Sequence, residues 1–431
     1  MMVNVLRRYP IALNIFWVFL VILVPTPLLL ALFVSMGSIA TDQRLLIAAG
    51  IIAYTWWLLA VFLSTRPKWL ERAVGLPKMY LLHGCLGVIA LVLAFLHEHY
   101  MVSMGQWIIV TGKLAWYLTL FGVLFAAFFM SGWIVDHFPT AANVKIRMQK
   151  VIKHQFSIWI HRLNIVAILL VWLHVELIGR VNGHLMFMVL FELYTFGVLG
   201  YYGWYKLDQK EGKMAGKVVK NRRLNAKTFQ LTLEFQDNVP NLLAGDFLFF
   251  TFPTLSQETH PFSLTNKPSE KSHVVVLTIR EVGDYTKGLS AVTVGSSFYA
   301  EGPFGQFSRI IESEPEKDLT LIGMGTGVAP LMSIAKRYHS RRNIHLIWTV
   351  KNKEDEFFRS ELENLNDNRL KSFIQVGRVT TYELSQLLSE REIKENRFFV
   401  VGSSLAVLSV ERSLKQIGVS KQNLSDERLT M

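Results

Sequence analysis

The chain has 431 residues, with 45 Lys or Arg against 33 Asp or Glu and a formal net charge of +12. Hydrophobic residues make up 51% of it and mean hydropathy is +0.30, more apolar than an ordinary soluble protein. Its one cysteine, Cys85, excludes an intrachain disulfide and a thiolate zinc or iron–sulfur site, and no CxxCH is present for covalent c-type haem.

The apolar residues are gathered in the first half. Six runs, at about 11–35, 44–63, 79–101, 113–135, 158–178 and 185–206, each approach the roughly 20 residues that cross a bilayer. The first follows Arg7 and Arg8, is too long for a signal peptide and reads as a retained span. Pro25 and Pro27 predict a kink in it. Basic residues cluster in two loops. Arg66, Lys68, Arg72 and Lys78 follow the second span, and Lys145, Arg147, Lys150 and Lys153 follow the fourth. This is a membrane topology signal rather than a nucleic-acid surface, and it places those loops in the cytoplasm. Six spans then return the C-terminal half to the same side.

From about Lys213 the pattern changes. "GKVVKNRRL", "TFQLTLEFQ" and "DFLFFTFP" alternate as short strands of a small antiparallel barrel. From about Lys317, strand, Gly-rich turn and helix alternate, which predicts a doubly wound parallel sheet. The expected domains are 1–210 in the membrane, 211–312 as the barrel and 313–431 as the α/β unit. No internal repeat is evident.

Two spans carry two histidines each: His83 and His97 in the third, His161 and His174 in the fifth. Ionisable groups inside spans are functional candidates by default. Fourteen residues separate the first two, which puts them about 40° apart in azimuth and about 21 Å apart along the axis. Thirteen separate the second two, which leaves about 140° in azimuth and about 20 Å in height. The fifth span is therefore expected to depart from an ideal helix, or its two rings to use different rotamers. Paired by depth, His83 with His161 and His97 with His174 would each clamp a haem iron, giving two b-type haems stacked across the membrane. A lone histidine is readily satisfied by backbone, but two pairs at nearly equal spacing ask for a shared ligand. A proton path, the other reading, usually recruits Asp or Glu at mid-depth.

In the soluble half, "HPFSLTN" (260–266) is followed by "LTIREVGDYTKGLS" and "EGPFGQF", and then "GMGTGVAP" (323–330) follows a strand and opens a helix. In this order they resemble the ferredoxin–NADP reductase superfamily. The resemblance implies that His260, Pro261, Phe262 and Ser263 line the isoalloxazine of FAD, with Ser263 as the catalytic neighbour of N5. It also implies that Arg280 counters the pyrophosphate, that Tyr285 and Thr286 hold the phosphates, and that Gly288 lets backbone approach them. Gly323, Gly325, Thr326 and Gly327 form a turn that suits a nicotinamide dinucleotide phosphate at a helix start, and Pro330 matches the same superfamily. Lys351 and Arg378, after later strands, are candidates for a 2′-phosphate, which would favour NADPH.

Together, from "RPKWLERAVGL" to "SDERL", the chain resembles the NADPH oxidase and ferric reductase superfamily. That resemblance implies a six-helix transmembrane haem-binding bundle with a cytosolic dehydrogenase in the plasma membrane. NAD(P)H, FAD and two haem b would carry electrons to oxygen or a ferric chelate outside. It implies a minimal form with the lipid bilayer as its surroundings, no nucleic acid and no obligatory protein partner. A cytochrome b-type subunit serving a quinone or a protein acceptor is the alternative. A transporter or channel leaves the histidine pairs unexplained. Two departures stand out. Where the family often has Cys-Gly-Pro beside the nicotinamide, this chain has Val401, Gly402, Ser403 and Ser404. Where it often ends in an aromatic over the flavin, this chain has Leu429. A flavin without an aromatic cover admits nicotinamide more easily, and discrimination between NADPH and NADH is expected to be weak. Steady-state kinetics with both nucleotides test this, and a hundredfold preference would contradict it.

Overall fold

The computed structural model describes residues 10–35, 41–103, 105–129, 144–145, 147–148, 154–207, 214–237, 239, 242–268, 273–365 and 368–429. The chain divides into two compact units, Met1–Gln209 and Lys210–Met431.

The first unit is helical. Its main helices are α1 (Pro10–Leu23), α2 (Thr26–Ser35), α3 (Thr41–Ser64), α4 (Leu76–Tyr100), α5 (Gln106–Phe129), α6 (His154–Glu176) and α7 (Leu185–Leu207). Among the described residues they supply six stretches long and apolar enough to span a membrane, with α1 and α2 together forming the first. The break between α1 and α2 falls at the expected prolines. Pro25 has no N–H for the Val21 carbonyl, and Trp56 Nε1 takes that carbonyl at 2.9 Å. The Val24 carbonyl accepts from Tyr194 Oη at 3.0 Å. A kink is thus sealed by donors from α3 and α7, as a broken helix in lipid requires.

Two antiparallel hairpins dominate the bundle: α3 runs along α4, and α5 along α6. Outward faces carry Leu81, Val88, Phe121, Leu124 and Leu193, all exposed, as a lipid surface demands. Two expectations need correction. The fourth span starts at Gln106 rather than 113, because Lys113 does not bound it. Lys113 lies within the helix and reaches Glu98 of α4 at 4.0 Å, so a charge near a span end is carried by pairing. Its expected end at 135 lies outside the described residues, as do Arg7, Arg8, Lys150 and Lys153. The fifth span, α6, is continuous α-helix from His154 to Glu176 with no 3₁₀ or π turn. Backbone distortion does not absorb the thirteen-residue gap, and the side chains must.

In the second unit, β1 (Met214–Asn225), β2 (Thr228–Phe235), β3 (Phe247–Thr251), β4 (His260–Ser263), β5 (Val274–Arg280) and β6 (Ser297–Phe304) pair antiparallel in the order β4-β3-β6-β1-β2-β5. A bridge from Leu264 to Leu277 joins the two edges and makes the sheet a barrel. Its interior is filled by Phe229, Leu231, Phe250, Phe252 and Phe298, all essentially buried. The remaining strands β7 (Leu319–Met324), β8 (Ile344–Val350), β9 (Leu370–Val376), β10 (Arg397–Gly402) and β11 (Leu424–Arg428) form a parallel sheet ordered β11-β10-β7-β8-β9. β8 and β10 are buried along their whole length, as a sheet covered on both faces requires. The chain leaves β7 to one side and returns through β10 on the other. The crevice between these two carboxyl ends is the place where such sheets bind ligands.

Gly216 of β1 marks the tightest point of the barrel. A Cβ there would lie 2.3 Å from the Glu234 carbonyl oxygen and 2.4 Å from Phe298 Cζ. Gly216→Ala should cost about 1–3 kcal/mol by overpacking. The expected readout is a lower thermal midpoint and lower flavin content in detergent, and an unchanged midpoint would show that the wall yields.

Candidate functional site

Four histidines meet in two pairs inside the helical unit. His83 of α4 and His161 of α6 have ring centroids 5.8 Å apart, with planes at 67°. His97 and His174, on the same two helices, are 6.3 Å apart at 81°. Bonds of about 2 Å from a metal to each imidazole nitrogen, plus half a ring on either side, need this spacing. Among the described residues no three His, Cys, Asp or Glu side chains gather as a bare-ion site. Two ligands suffice for an iron that brings four equatorial nitrogens of its own, so the residues fit a haem at each pair.

Partners behind the rings support that role. Nδ1 of His83 lies 2.8 Å from the Ala60 carbonyl, Nδ1 of His97 2.8 Å from Leu46, and Nδ1 of His174 2.8 Å from Ile108. An imidazole that gives its Nδ1 proton to a carbonyl keeps a lone pair on Nε2 for a metal. Glycines make this approach possible. Gly50 follows Leu46 by one turn, and a Cβ there would lie 2.9 Å from His97 Nδ1. Gly112 follows Ile108 by one turn, and its Cβ would lie 3.1 Å from His174. At these two positions a side chain would crowd the ring that reaches the carbonyl. These glycines carry no motif, and only the repeated interval from acceptor to glycine hints at them.

Among the other histidines in or beside the spans, His99 stacks on Phe95 (ring centroids 5.2 Å apart) and packs edge-on to Tyr100. His137 and the His154 side chain lie outside the described residues.

The barrel and the parallel sheet share a second site. Strand β4 is the HPFS segment itself, paired with β3. The His260 ring stacks on Tyr285 at 3.7 Å, and its Nε2 meets Glu258 at 3.0 Å. Pro261 is exposed, whereas Phe262 leans on Phe250 at the barrel core. The Tyr285 hydroxyl is buried beside the Phe252 backbone. Thr286 Oγ1 accepts from the Val282 and Gly283 N–H groups at 2.9 and 3.1 Å, so it holds its own loop together. A Cβ at Gly288 would sit 2.6 Å from Leu255, which keeps that backbone bare.

Arg280 ends β5 and reaches toward the nucleotide domain. Its Nη2 lies 4.0 Å from Asp355, and its Nη1 stands 3.9 Å from the place a Cβ on Gly325 would take. Gly325 has φ +59, and its carbonyl accepts from Trp348 Nε1 at 2.9 Å. Gly323 and Gly327 pack so tightly that a Cβ would lie 2.9 Å from Val328 Cα and 2.3 Å from the Val401 carbonyl oxygen, respectively. Gly402, at the end of β10, lies against the Met324 side chain. Thr326 sits in the 3₁₀ turn, and Pro330 is buried in the first turn of the following helix, Val328–Tyr338. Lys351 and Arg378 emerge, exposed, beyond the ends of the adjacent strands β8 and β9. A cation beside a bare, glycine-built turn at the sheet's switch point suits the phosphates of a dinucleotide.

One residue escapes the sequence reading. Glu427 of β11 lies beside Val401, and Ser263 Oγ donates to its Oε1 at 3.4 Å. Burial, with Asp246 and Asp426 nearby, pushes its carboxyl up to about 7, against the opposing pull of Ser263. The "SDERL" stretch holds three charged residues in a row, and nothing local distinguishes Glu427 from its neighbours.

Comparison with known proteins agrees with this geometry. Residues 214–318 match the model of an FAD-binding domain, and 321–395 that of an oxidoreductase NAD-binding domain. The electron transfer subunit of dihydroorotate dehydrogenase B (NAD(+)) from Caldanaerobacter subterraneus is 29% identical over 130 residues, 30% of this chain and 49% of that one. One subunit of the Na(+)-translocating NADH-quinone reductase of Yersinia pseudotuberculosis is 25% identical over 230 residues, 45% of this chain and 56% of that one. The chain thus spans about half the length of the curated relatives it matches. A cytochrome P450 reductase from Amycolatopsis aligns with 20% identity and a TM-score of 0.47, over 51% of this chain and 70% of that one. The chain carries an FAD-binding domain followed by an oxidoreductase NAD-binding domain, and six helices long and apolar enough to cross a membrane precede them among the described residues.

A carboxyl that titrates near 7 beside Ser263 holds a proton below that pH and accepts one above it. Turnover with a soluble one-electron acceptor should therefore rise across about pH 7 in the wild type. Glu427→Gln should flatten that rise and slow turnover on the order of 10²-fold. A variant that keeps the wild-type pH profile would remove Glu427 from the proton path.

Proposed function

We propose that this protein is a transmembrane NAD(P)H oxidase of the NADPH oxidase and ferric reductase type, using FAD and two b-type haems to reduce oxygen to superoxide on the far side of the plasma membrane. The observation that carries the reading is the pair of histidine pairs on α4 and α6, at two depths, in one chain with a flavin- and nicotinamide-binding half. His83 and His161 would hold the haem nearer the cytoplasm, and His97 and His174 the outer one. Each haem, when bound, supplies a one-electron couple, and FAD converts a two-electron hydride into single electrons.

The chain's own residues prepare those cofactors. The carbonyls of Ala60, Leu46 and Ile108 orient three imidazoles. Ser263 and Glu427 form a two-member path that would hold a proton beside a bound flavin. Arg66 and Lys68 lie between α3 and α4 and Lys78 in the first turn of α4, which supports a cytoplasmic position for that end of the bundle and for the dehydrogenase half.

At the end of the bundle near His97 and His174, carboxylates would favour a ferric chelate, the second reading. Glu98 is engaged by Lys113 at 4.0 Å, and Glu192 accepts from Trp172 Nε1 at 3.0 Å. Glu176, beside Glu192, takes the Asn182 amide at 3.4 Å, and with these three acids engaged inside the protein oxygen is the better match. Passage of electrons to a quinone or protein acceptor predicts neither superoxide nor iron reduction.

Purified, haem-loaded protein should oxidise NAD(P)H in air with cytochrome c reduction that superoxide dismutase abolishes. Faster turnover under argon with a ferric chelate would favour the second reading. His97→Ala or His174→Ala should leave one haem of two by absorbance. If both variants keep two haems, the ligand assignment is wrong.

A further inference from the structure

The four imidazoles are not supported alike. On the α3–α4 hairpin, the acceptor carbonyls of Leu46 and Ala60 are fourteen residues apart, as are the histidines they serve, His97 and His83. On the α5–α6 hairpin the helices fall out of step. The carbonyls facing the two rings belong to Ile108 and Gly122, again fourteen apart, but His174 and His161 are separated by thirteen. His174 keeps a bond of 2.8 Å to Ile108. His161 has the Gly122 carbonyl within reach and a second neighbour that, among the described residues, the other rings lack, the Asn164 side chain, whose amide lies 3.3 Å from its Nδ1.

Asn164 is one turn along α6 from His161, on the same face. Its amide is seated against Gly122, where a Cβ would lie 2.4 Å from Oδ1 and 2.9 Å from Nδ2. Only glycine leaves room for it. The amide nitrogen faces His161, while Oδ1 is buried without a partner. An imidazole that binds iron through Nε2 carries its proton on Nδ1, and that proton cannot face an amide N–H. A half-turn of the amide exchanges oxygen and nitrogen and presents the acceptor.

We infer that Asn164 is a positioning residue for His161: its amide oxygen, seated in the notch at Gly122, accepts the Nδ1 proton, fixes the tautomer and aims Nε2 at His83. It makes good the one-residue mismatch between α5 and α6. The inference rests on the di-haem reading above.

An acceptor behind a ligating histidine raises its basicity and so favours the ferric iron. Asn164→Leu keeps the volume and removes the acceptor. Stepwise reduction of the purified, haem-loaded protein, followed by its absorbance, should then show two haems with one step displaced. At the wild-type midpoint of that step the ferrous-to-ferric ratio should rise about tenfold, the low end of second-shell effects, which equals 59 mV for one electron. The other step should stay in place. Gly122→Ala, which displaces the amide without changing it, should move the same step in the same direction, and Asn164→Asp should restore or reverse it. Two haems with both steps unmoved in Asn164→Leu would overturn the inference and leave the di-haem reading standing. Wild-type protein that takes up no haem would overturn both.

Discussion

A neutral imidazole placed in hydrocarbon has one nitrogen that must donate and one that must accept, and the helical unit is arranged around that requirement. The histidines of α4 and α6 do not stand against lipid alone. Each helix is backed by a neighbour, α3 or α5, whose backbone carbonyls receive the Nδ1 protons. A helical carbonyl already bonded to the residue four places on accepts again most easily where that next turn is bare. Gly50 and Gly112 satisfy this for the pair that lies near Leu46 and Ile108. The backing helix therefore does two jobs with one stretch of sequence: it closes its own hydrogen bonds and it fixes the tautomer of a ring on another helix.

The soluble half solves a different problem with similar economy. A dinucleotide phosphate needs bare backbone, and the turn from Gly323 to Gly327 supplies it, because neighbouring chain passes too close for any side chain. Trp348 holds the turn from beneath through the Gly325 carbonyl. Arg280 crosses from the barrel to stand beside that turn and Asp355, so the barrel sets a cation next to the nucleotide domain's glycine turn. Edge strand β11 then brings Glu427 to Ser263, a residue 164 positions earlier in the chain. The two side chains meet there only because the last strand is added to the sheet in parallel beside β10.

How much of this is legible depends on whether the signal is local. Six spans, the proline break, the strand-rich barrel and the alternating α/β region are patterns within a few residues, and they can be read in place. The histidine pairs are legible because two intervals nearly agree. Glu427 is not, since its meaning comes from a partner that no sequence interval connects to it. Gly50, Gly112 and Gly122 are not either. A glycine in an apolar run looks like a weak helix former, and its use appears only when a ring or an amide from another helix rests on it. The start of the fourth span is misleading for a related reason. Lys113 reads as a boundary charge, whereas in the fold it is neutralised across the hairpin by Glu98.

The same logic explains why the thirteen-residue gap in α6 does not bend the helix. Distorting an α-helix in lipid exposes backbone groups that have no water to turn to, so a regular helix with displaced rings is the cheaper solution. The two hairpins then differ in one respect. In α3–α4 the donor and acceptor intervals agree, and backbone alone supports both rings. In α5–α6 they differ by one residue, and the discrepancy is borne entirely at His161, where Gly122 and Asn164 share the ring. Two hairpins with the same plan therefore do not produce two equivalent sites. The pair formed by His97 and His174 has carbonyl support on both sides, while the pair formed by His83 and His161 has one member whose support includes a side chain. A side chain can be changed by mutation where a backbone carbonyl cannot, so the His83–His161 site is the one whose electronic properties can be altered without altering the fold.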